Sequence, residues 1–149
     1  MTPADMIVNA DLGGQWTCGA VLDVCMKAPQ TPGVYVFFGD GAAIYVGSSV
    51  HLRSRIRQHA NTFLHEPATL RFITKWGEFD DMQIAYRQYE HGGLDDYEYR
   101  TYVRLCQFQN IQPPQSPTKT FGYIGRFTPI STLLRSADEA ALYPWKLSG

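Results

Sequence analysis

The segment 33–59, "GVYVFFGDGAAIYVGSSVHLRSRIRQH", decides the fold, because it carries two strand-like runs followed by a helix-like run. The runs "GVYVFF" (33–38) and "AIYVG" (43–47) are rich in β-branched and aromatic residues, and Gly39-Asp40-Gly41 lies between them. Such runs around a Gly- and Asp-containing connection are typical of a β-hairpin. The sequence therefore predicts two antiparallel strands here.

The relation between Tyr35 and Tyr45 depends on the length of the hairpin loop. A two-residue Asp40-Gly41 turn in a regular ladder would place Tyr35 opposite Val46, with the two tyrosines on opposite faces. An odd-length loop, such as Gly39-Asp40-Gly41, would place Tyr35 opposite Tyr45 on one face. If the tyrosines act together, the hairpin must have an odd loop or a bulge.

The run "SSVHLRSRIRQHANTF" (48–63) predicts an amphipathic helix, which Ser48 or Ser49 can cap. Apolar side chains recur at helical spacing and are expected to face the core: Leu52, Ile56, Ala60 and Phe63.

Cations occupy the remaining faces of this helix. Arg55 and His59 are four residues apart, so they share one stripe, whereas Arg53 and Arg57 form another. Residues 51–57 contain three arginines and no acid, in a chain of 149 residues whose net charge is −1. The total charge argues against a strongly basic nucleic-acid binder, but a local basic face is compatible with a neutral total.

Further elements complete an α+β fold with a mainly antiparallel three-stranded sheet flanked by helices. Residues 16–28 predict a short helix, 82–89 a strand and 94–110 a second long helix. We expect residues 1–30 to be a helical N-terminal extension packed on the domain, 31–112 to be the core, and 113–149 to be a C-terminal extension of the same single domain.

The composition indicates a globular protein without a membrane span, because no apolar run approaches the roughly 20 residues required. No signal peptide is visible in the first 14 residues. Cys18, Cys25 and Cys106 are odd in number and lack metal-site spacing, so we expect reduced thiols and a cytoplasmic location.

At this point the chain resembles the GIY-YIG nuclease superfamily. "GVY" (33–35) and "YVG" (45–47) are similar to its paired tripeptides, and Arg55 follows the second tyrosine at the distance of the family's helix arginine. Glu98 and Asn110 follow in the order of the family's metal-binding glutamate and its asparagine. The Arg55–His59 pair is similar to that of superfamily restriction endonucleases, and "TPGVYVF" to the entry of the nuclease half of the bacterial repair protein UvrC. The "GYIG" at 122–125 follows both long helices and instead predicts a turn and short strand.

The resemblance implies a metal-dependent endonuclease that hydrolyses DNA. Its implied catalytic residues are Tyr35, Tyr45, Arg55, His59, Glu98 and Asn110. Glu98 would hold Mg²⁺ or Mn²⁺, because Mg²⁺ keeps several waters and needs few protein oxygens. Arg55 would fork onto the phosphate, with Tyr35 taking a proton from water and His59 acting as base or phosphate contact.

The remaining implied residues support the backbone and the substrate. Gly33 and Gly47 would let the backbone pass closely. Nucleic-acid contacts are expected from Arg53, Arg57, Ser48, Arg71 and Lys75. Ser48 stands where many family members carry lysine, so one cation is missing. The expected partner is double-stranded or branched DNA, with a partner protein as one source of specificity.

Other interpretations stay open on the sequence alone. The same fold could be a catalytically weak or inactive module that binds nucleic acid or protein. A thiol enzyme using Cys25 or Cys106 is a further alternative. Individually, Glu98 reads as a surface glutamate, the tyrosines as core aromatics and Asn110 as a helix C-cap.

Overall fold

The structure is a computed structural model that describes residues 2–39, 41–65, 82–90, 92–111 and 124, with only the backbone at 60–65. Within these ranges the elements follow in the order α1 (Pro3–Asn9), β1 (Thr17–Ala20), α2 (Val21–Lys27), β2 (Gly33–Gly39), β3 (Ala42–Ser49), α3 (Leu52–His65), β4 (Gln83–Gln88) and α4 (Leu94–Phe108). None of these described helices is both long and apolar enough to cross a membrane.

The four described strands form an antiparallel sheet in the order β1-β4-β2-β3. The α+β class is confirmed, but the prediction of a three-stranded sheet was wrong, because the described residues form four strands. The additional strand is β1, in a stretch predicted as the start of a helix. Thr17 pairs with Tyr86 and Ala20 with Gln83, so this segment gains a hydrogen-bonding partner that local periodicity cannot reveal. The helix begins only at Val21, whose N–H donates to the Met82 carbonyl.

A bulge in the β2–β3 hairpin brings the two tyrosines to the same face. Gly39 pairs with Ala42, so two residues connect the strands, yet the register shifts between Phe37 and Phe38. Phe37 consequently pairs with Tyr45, and Tyr35 pairs with Gly47. The requirement for a bulge is met. Neither pairing considered for a regular hairpin occurs, because the bulge places the two tyrosines diagonally across the ladder.

Helices cover both faces of the sheet. On one face α2 and α3 pack in a buried cluster with strand residues: Val21, Val24, Leu52, Ile56, Tyr35, Phe37 and Ile84. On the other face α1 and α4 pack with the alternate residues: Met6, Ile7, Val34, Val36, Val46, Tyr102, Leu105 and Cys106. The alternation along β2 leaves all seven of its residues buried, as expected for a strand covered on both sides.

Boundaries of the two long helices also differ from the sequence prediction. The first long helix was predicted from residue 48, but Ser48 and Ser49 extend β3, and α3 begins at Leu52. The Ser49 hydroxyl accepts the His51 N–H (3.0 Å) and so forms the turn between strand and helix. The helix predicted over 94–110 ends at Phe108.

The edge strand β3 is covered on its outer side near the bulge. The Gln109 side-chain amide accepts the Ala43 N–H (2.8 Å) and donates to the Ala43 carbonyl (3.2 Å). The bulged Ile44 offers its carbonyl to the N–H of Ile124, which is fully buried. Ile124 belongs to the "GYIG" segment, whose other residues lie outside the described ranges. These contacts occupy backbone groups that an exposed edge would offer to another strand.

Candidate active site

Gly47 allows the hairpin to bury the Tyr35 hydroxyl. Tyr35 is 1% exposed, and its ring and hydroxyl lie directly over Gly47 on the neighbouring strand. A Cβ atom at position 47 would overlap the hydroxyl and the ring edge of Tyr35. Gly33 is similarly confined, between the Arg87 carbonyl and the Leu52 side chain. Both motif glycines therefore stand where the backbone passes closely beside other atoms.

His59 joins the tyrosine pair from α3. Its Nε2 lies 2.8 Å from the Tyr35 hydroxyl oxygen. The rings of Tyr35 and Tyr45 stack with centroids 6.2 Å apart, and the imidazole is 5.5 Å and 5.1 Å from them. Phe37 completes the cluster edge-on to His59, at 5.3 Å. The hydrogen bond between Tyr35 and His59 is therefore surrounded by aromatic rings.

Arg55, one helical turn before His59, brings the positive charge of this site. The guanidinium interacts with both phenol oxygens, of Tyr35 and Tyr45. It also donates to the side-chain oxygen of Gln58. Partial burial alone would lower the pKa of Arg55, but the two phenol oxygens outweigh it and raise the pKa above its ordinary value. Arg55 is therefore a permanent cation beside two hydroxyl groups.

The other titratable groups of the cluster are neutral near pH 7. Burial, followed by the neighbouring tyrosine, raises the pKa of Tyr35, and burial also raises the pKa of Tyr45. Burial, aided by the charge of Arg55, lowers the pKa of His59 to about 3. A neutral phenol donates a proton and a neutral imidazole nitrogen accepts one. We therefore assign the bond as Tyr35 O–H donating to His59 Nε2.

Glu98 approaches from the opposite face of the sheet, on α4. Its carboxylate accepts hydrogen bonds from the side chain and the backbone of Ser48, near the end of edge strand β3. Burial raises the pKa of Glu98, and the bonds from Ser48 oppose this effect. The charge of Glu98 acts on Tyr35, Tyr45 and Arg55 across the strand edge. The two halves of the site thus meet around β3.

A cation–aromatic cluster holds the first turns of α4 against the sheet. Arg87 of β4 donates to the Tyr97 hydroxyl, and its guanidinium carbon is 5.0 Å from the centre of that ring. Tyr97 stacks on Tyr89 with centroids 4.5 Å apart and planes at 7°. Because Tyr97 directly precedes Glu98, these contacts hold the helix turn that carries the Glu98 carboxylate.

The residues around Glu98 fit a largely hydrated ion better than a caged one. Among the described residues no group of three or more His, Cys, Asp or Glu side chains could hold a metal. A single buried carboxylate, with a serine hydroxyl beside it, suits the hard oxygen preference of Mg²⁺ or Mn²⁺ only if waters supply most ligands.

Other predicted residues lie apart from this cluster. Asn110 is exposed and adopts a left-handed conformation (φ 58°) just beyond α4, whose end at Phe108 lies about 15 Å of helix rise from Glu98. It has the position of a helix C-terminal residue. Arg57 donates through Nε to the Cys25 carbonyl of α2 (2.8 Å). Arg71 and Lys75 lie outside the described residues.

The thiol alternative gains no support from the cysteines. All three are free. The Cys25 thiol donates to the Leu22 carbonyl, and burial raises the pKa of Cys106. A buried protonated thiol is a poor nucleophile.

Sequence reasoning missed Phe37 and Gln58 as parts of the site. Phe37 is two residues after Tyr35 on the same strand, so the period of two could have placed it on the same face. Gln58 is three residues after Arg55 on the helix, a spacing at which side chains meet. Neither residue type carries a chemical signal of its own.

Comparison with known proteins shows partial similarity to a curated protein. A stretch of 62 residues is 36% identical to UvrABC system protein C of Deinococcus radiodurans, and it covers 38% of this chain and 10% of that protein. No family model matches the chain. No solved structure matches it either. The chain therefore spans only a small part of the curated relative that it resembles.

Proposed function

We propose that this protein is a metal-dependent endonuclease that hydrolyses DNA phosphodiester bonds. The observation that carries the proposal is the meeting of Tyr35, Tyr45, Arg55 and His59 with Glu98 around the edge strand β3. The partial similarity to UvrABC system protein C, which has a GIY-YIG domain, supports a nuclease-related role in DNA repair or a related process.

Arg55 is the residue suited to bind the scissile phosphate. Its guanidinium offers two parallel donors, a geometry that matches two phosphate oxygens. The tyrosine hydroxyls beside it supply further polar contacts. Because the site is half-buried, these groups stabilise the additional negative charge of a pentacovalent phosphate more strongly than they would in water.

Tyr35 and His59 are suited to activate the attacking water. When Tyr35 donates its proton to His59 Nε2, the phenol oxygen can accept a proton from water, and the resulting hydroxide attacks phosphorus. His59 ends the step as an imidazolium beside the phosphate. The anionic phosphate would offset the charge of Arg55, which is one of the two causes of the low pKa of His59. Substrate binding therefore makes His59 a better base.

Glu98 and Ser48 would hold the divalent ion. When bound there, Mg²⁺ or Mn²⁺ would supply charge stabilisation for the phosphate and the leaving oxygen. Burial raises the pKa of Glu98, because it disfavours the charged carboxylate. A bound cation would offset this cost, so the buried position of Glu98 favours ion binding.

A plasmid-nicking assay tests the proposal. Supercoiled DNA is incubated with Mg²⁺ or Mn²⁺ and the wild-type protein, Arg55→Ala, Glu98→Ala or the exposed control Glu90→Ala. We expect cleavage by the wild type and the control, with a loss of about 100-fold or more in the two site variants. Absence of cleavage on broad DNA substrates, or equal cleavage by all four proteins, would refute catalysis.

A second candidate is a module of the same fold that binds nucleic acid without cutting it. One observation favours it: Glu98 is the single carboxylate at the described site, and burial raises its pKa. DNA binding that survives in EDTA, together with no cleavage in either metal, would favour this function.

A further inference from the structure

A groove of about 570 Å³ opens on α3 and shares Arg55 with the candidate active site. The described residues that line it are all of polar or cationic type, with no carboxylate among them: Ser49, His51, Ser54, Arg55, Arg57 and Gln58. In a chain of net charge −1, such a surface favours anions locally. Hydroxyl, amide and guanidinium donors are the groups that contact phosphate oxygens in nucleic-acid complexes.

The groove is ordered by contacts with neighbouring segments. The Arg57 guanidinium is fixed by its Nε bond to the Cys25 carbonyl of α2 (2.8 Å). The Ser54 N–H donates to the Gln30 side-chain oxygen (3.0 Å), and the Gln30 amide donates to the Ser54 hydroxyl. Donors held in place before binding lose less conformational entropy when a ligand arrives.

We propose that this groove binds the sugar-phosphate backbone of a DNA strand next to the scissile phosphate, with Arg57 as its principal phosphate contact. The inference rests on the proposed function and adds the path of the strand. Because Arg55 belongs to both surfaces, a phosphate in the groove and the scissile phosphate lie on one continuous chain. The groove recognises phosphates, so its contribution is independent of base sequence.

The same geometry separates Arg57 from Arg53. Both arginines lie on α3, and both were predicted to contact nucleic acid, but Arg53 does not line the groove. Replacing either by alanine removes one positive charge from the same helix. Arg53→Ala is therefore the matched control for a non-specific effect of charge.

Binding of a labelled DNA duplex, followed by fluorescence anisotropy in EDTA over a range of salt concentrations, tests the inference. Arg57→Ala is expected to weaken binding roughly tenfold, as for loss of one charge-assisted hydrogen bond. The slope of log Kd against log salt should fall by about 0.9, the value for one phosphate contact. Arg53→Ala should change Kd at most about twofold.

Arg57→Ala also removes a hydrogen bond to α2, so a second variant is needed that leaves this bond in place. Ser54→Asp keeps the Arg57–Cys25 bond and introduces a carboxylate into the groove, so it should also weaken binding. Two results would overturn the groove proposal but not the proposed function, provided that the wild type binds DNA. One is an equal effect of Arg57→Ala and Arg53→Ala, and the other is an unchanged affinity of Ser54→Asp. Failure of the wild type to bind any DNA would overturn the proposed function as well.

Discussion

At the scale of single residues, Gly47 explains how a hydroxyl can be buried between paired strands. We expect Gly47→Ala to destabilise the protein by about 1–3 kcal/mol, because its Cβ would overlap the Tyr35 hydroxyl and force the strands apart. The free energy of unfolding in urea measures this effect.

Gly39→Ala is the control for Gly47→Ala. Gly39 lies on the same strand as Tyr35. A Cβ at Gly39 would stand 3.5 Å from the nearest side-chain atom of Ile44, which is an ordinary van der Waals contact. Its free energy of unfolding should stay within about 1 kcal/mol of the wild-type value. Equal destabilisation by both alanines would show that close approach at Gly47 has no special weight.

His59 should impose a pH dependence on stability. Its pKa is lowered to about 3 in the folded protein, whereas the unfolded imidazole titrates near its ordinary value. Between these values the unfolded state binds a proton that the native state excludes. The free energy of unfolding should therefore decrease as pH falls from about 6.5 towards 3, by at most about 1.4 kcal/mol per pH unit from this group.

Urea denaturation of the wild type and His59→Gln at several pH values isolates that contribution. The difference between the two proteins should change with pH in this window. Parallel loss of stability in the wild type and His59→Gln would contradict the buried neutral imidazole.

At the scale of elements, Gln109 links the end of α4 to the edge of the sheet. Gln109→Ala removes two hydrogen bonds to Ala43, so we expect a loss of about 1–3 kcal/mol in the free energy of unfolding. The exposed Gln107→Ala on the same helix is the control, with a change within about 0.5 kcal/mol. Urea denaturation compares the two, and equal values would contradict the role of Gln109.

Regular elements with strong local signals were predictable, and those that depend on distant partners were not. The β2–β3 hairpin, β4 and the long helices follow from β-branched runs and from helical periodicity. The strand β1 does not, because Thr17–Ala20 is short and lies within a stretch whose apolar spacing is helical. Its state is decided by the free edge of β4, which only the folded sheet provides.

At the scale of the whole molecule, the sequence predicted which residue types form the site better than it predicted the hydrogen bonds between them. The need for a bulge between Tyr35 and Tyr45 could be stated from spacing alone. The bond between Glu98 and Ser48 could not, because it depends on how α4 crosses the opposite face of the sheet. The hydrogen bond from Arg57 to the Cys25 carbonyl could not be predicted either, because it depends on how α2 packs against α3.

The central claim is that the face bearing His59 and the helix bearing Glu98 act as one catalytic centre. Rates of Mg²⁺-dependent plasmid cleavage by Glu98→Gln, His59→Gln and the double variant test it most directly. Each single variant should lose about 100-fold or more, and the double variant should lose little beyond the more severe single one, because residues that act as a unit are not additive. Losses that multiply in the double variant, or a single variant with the wild-type rate, would contradict the claim.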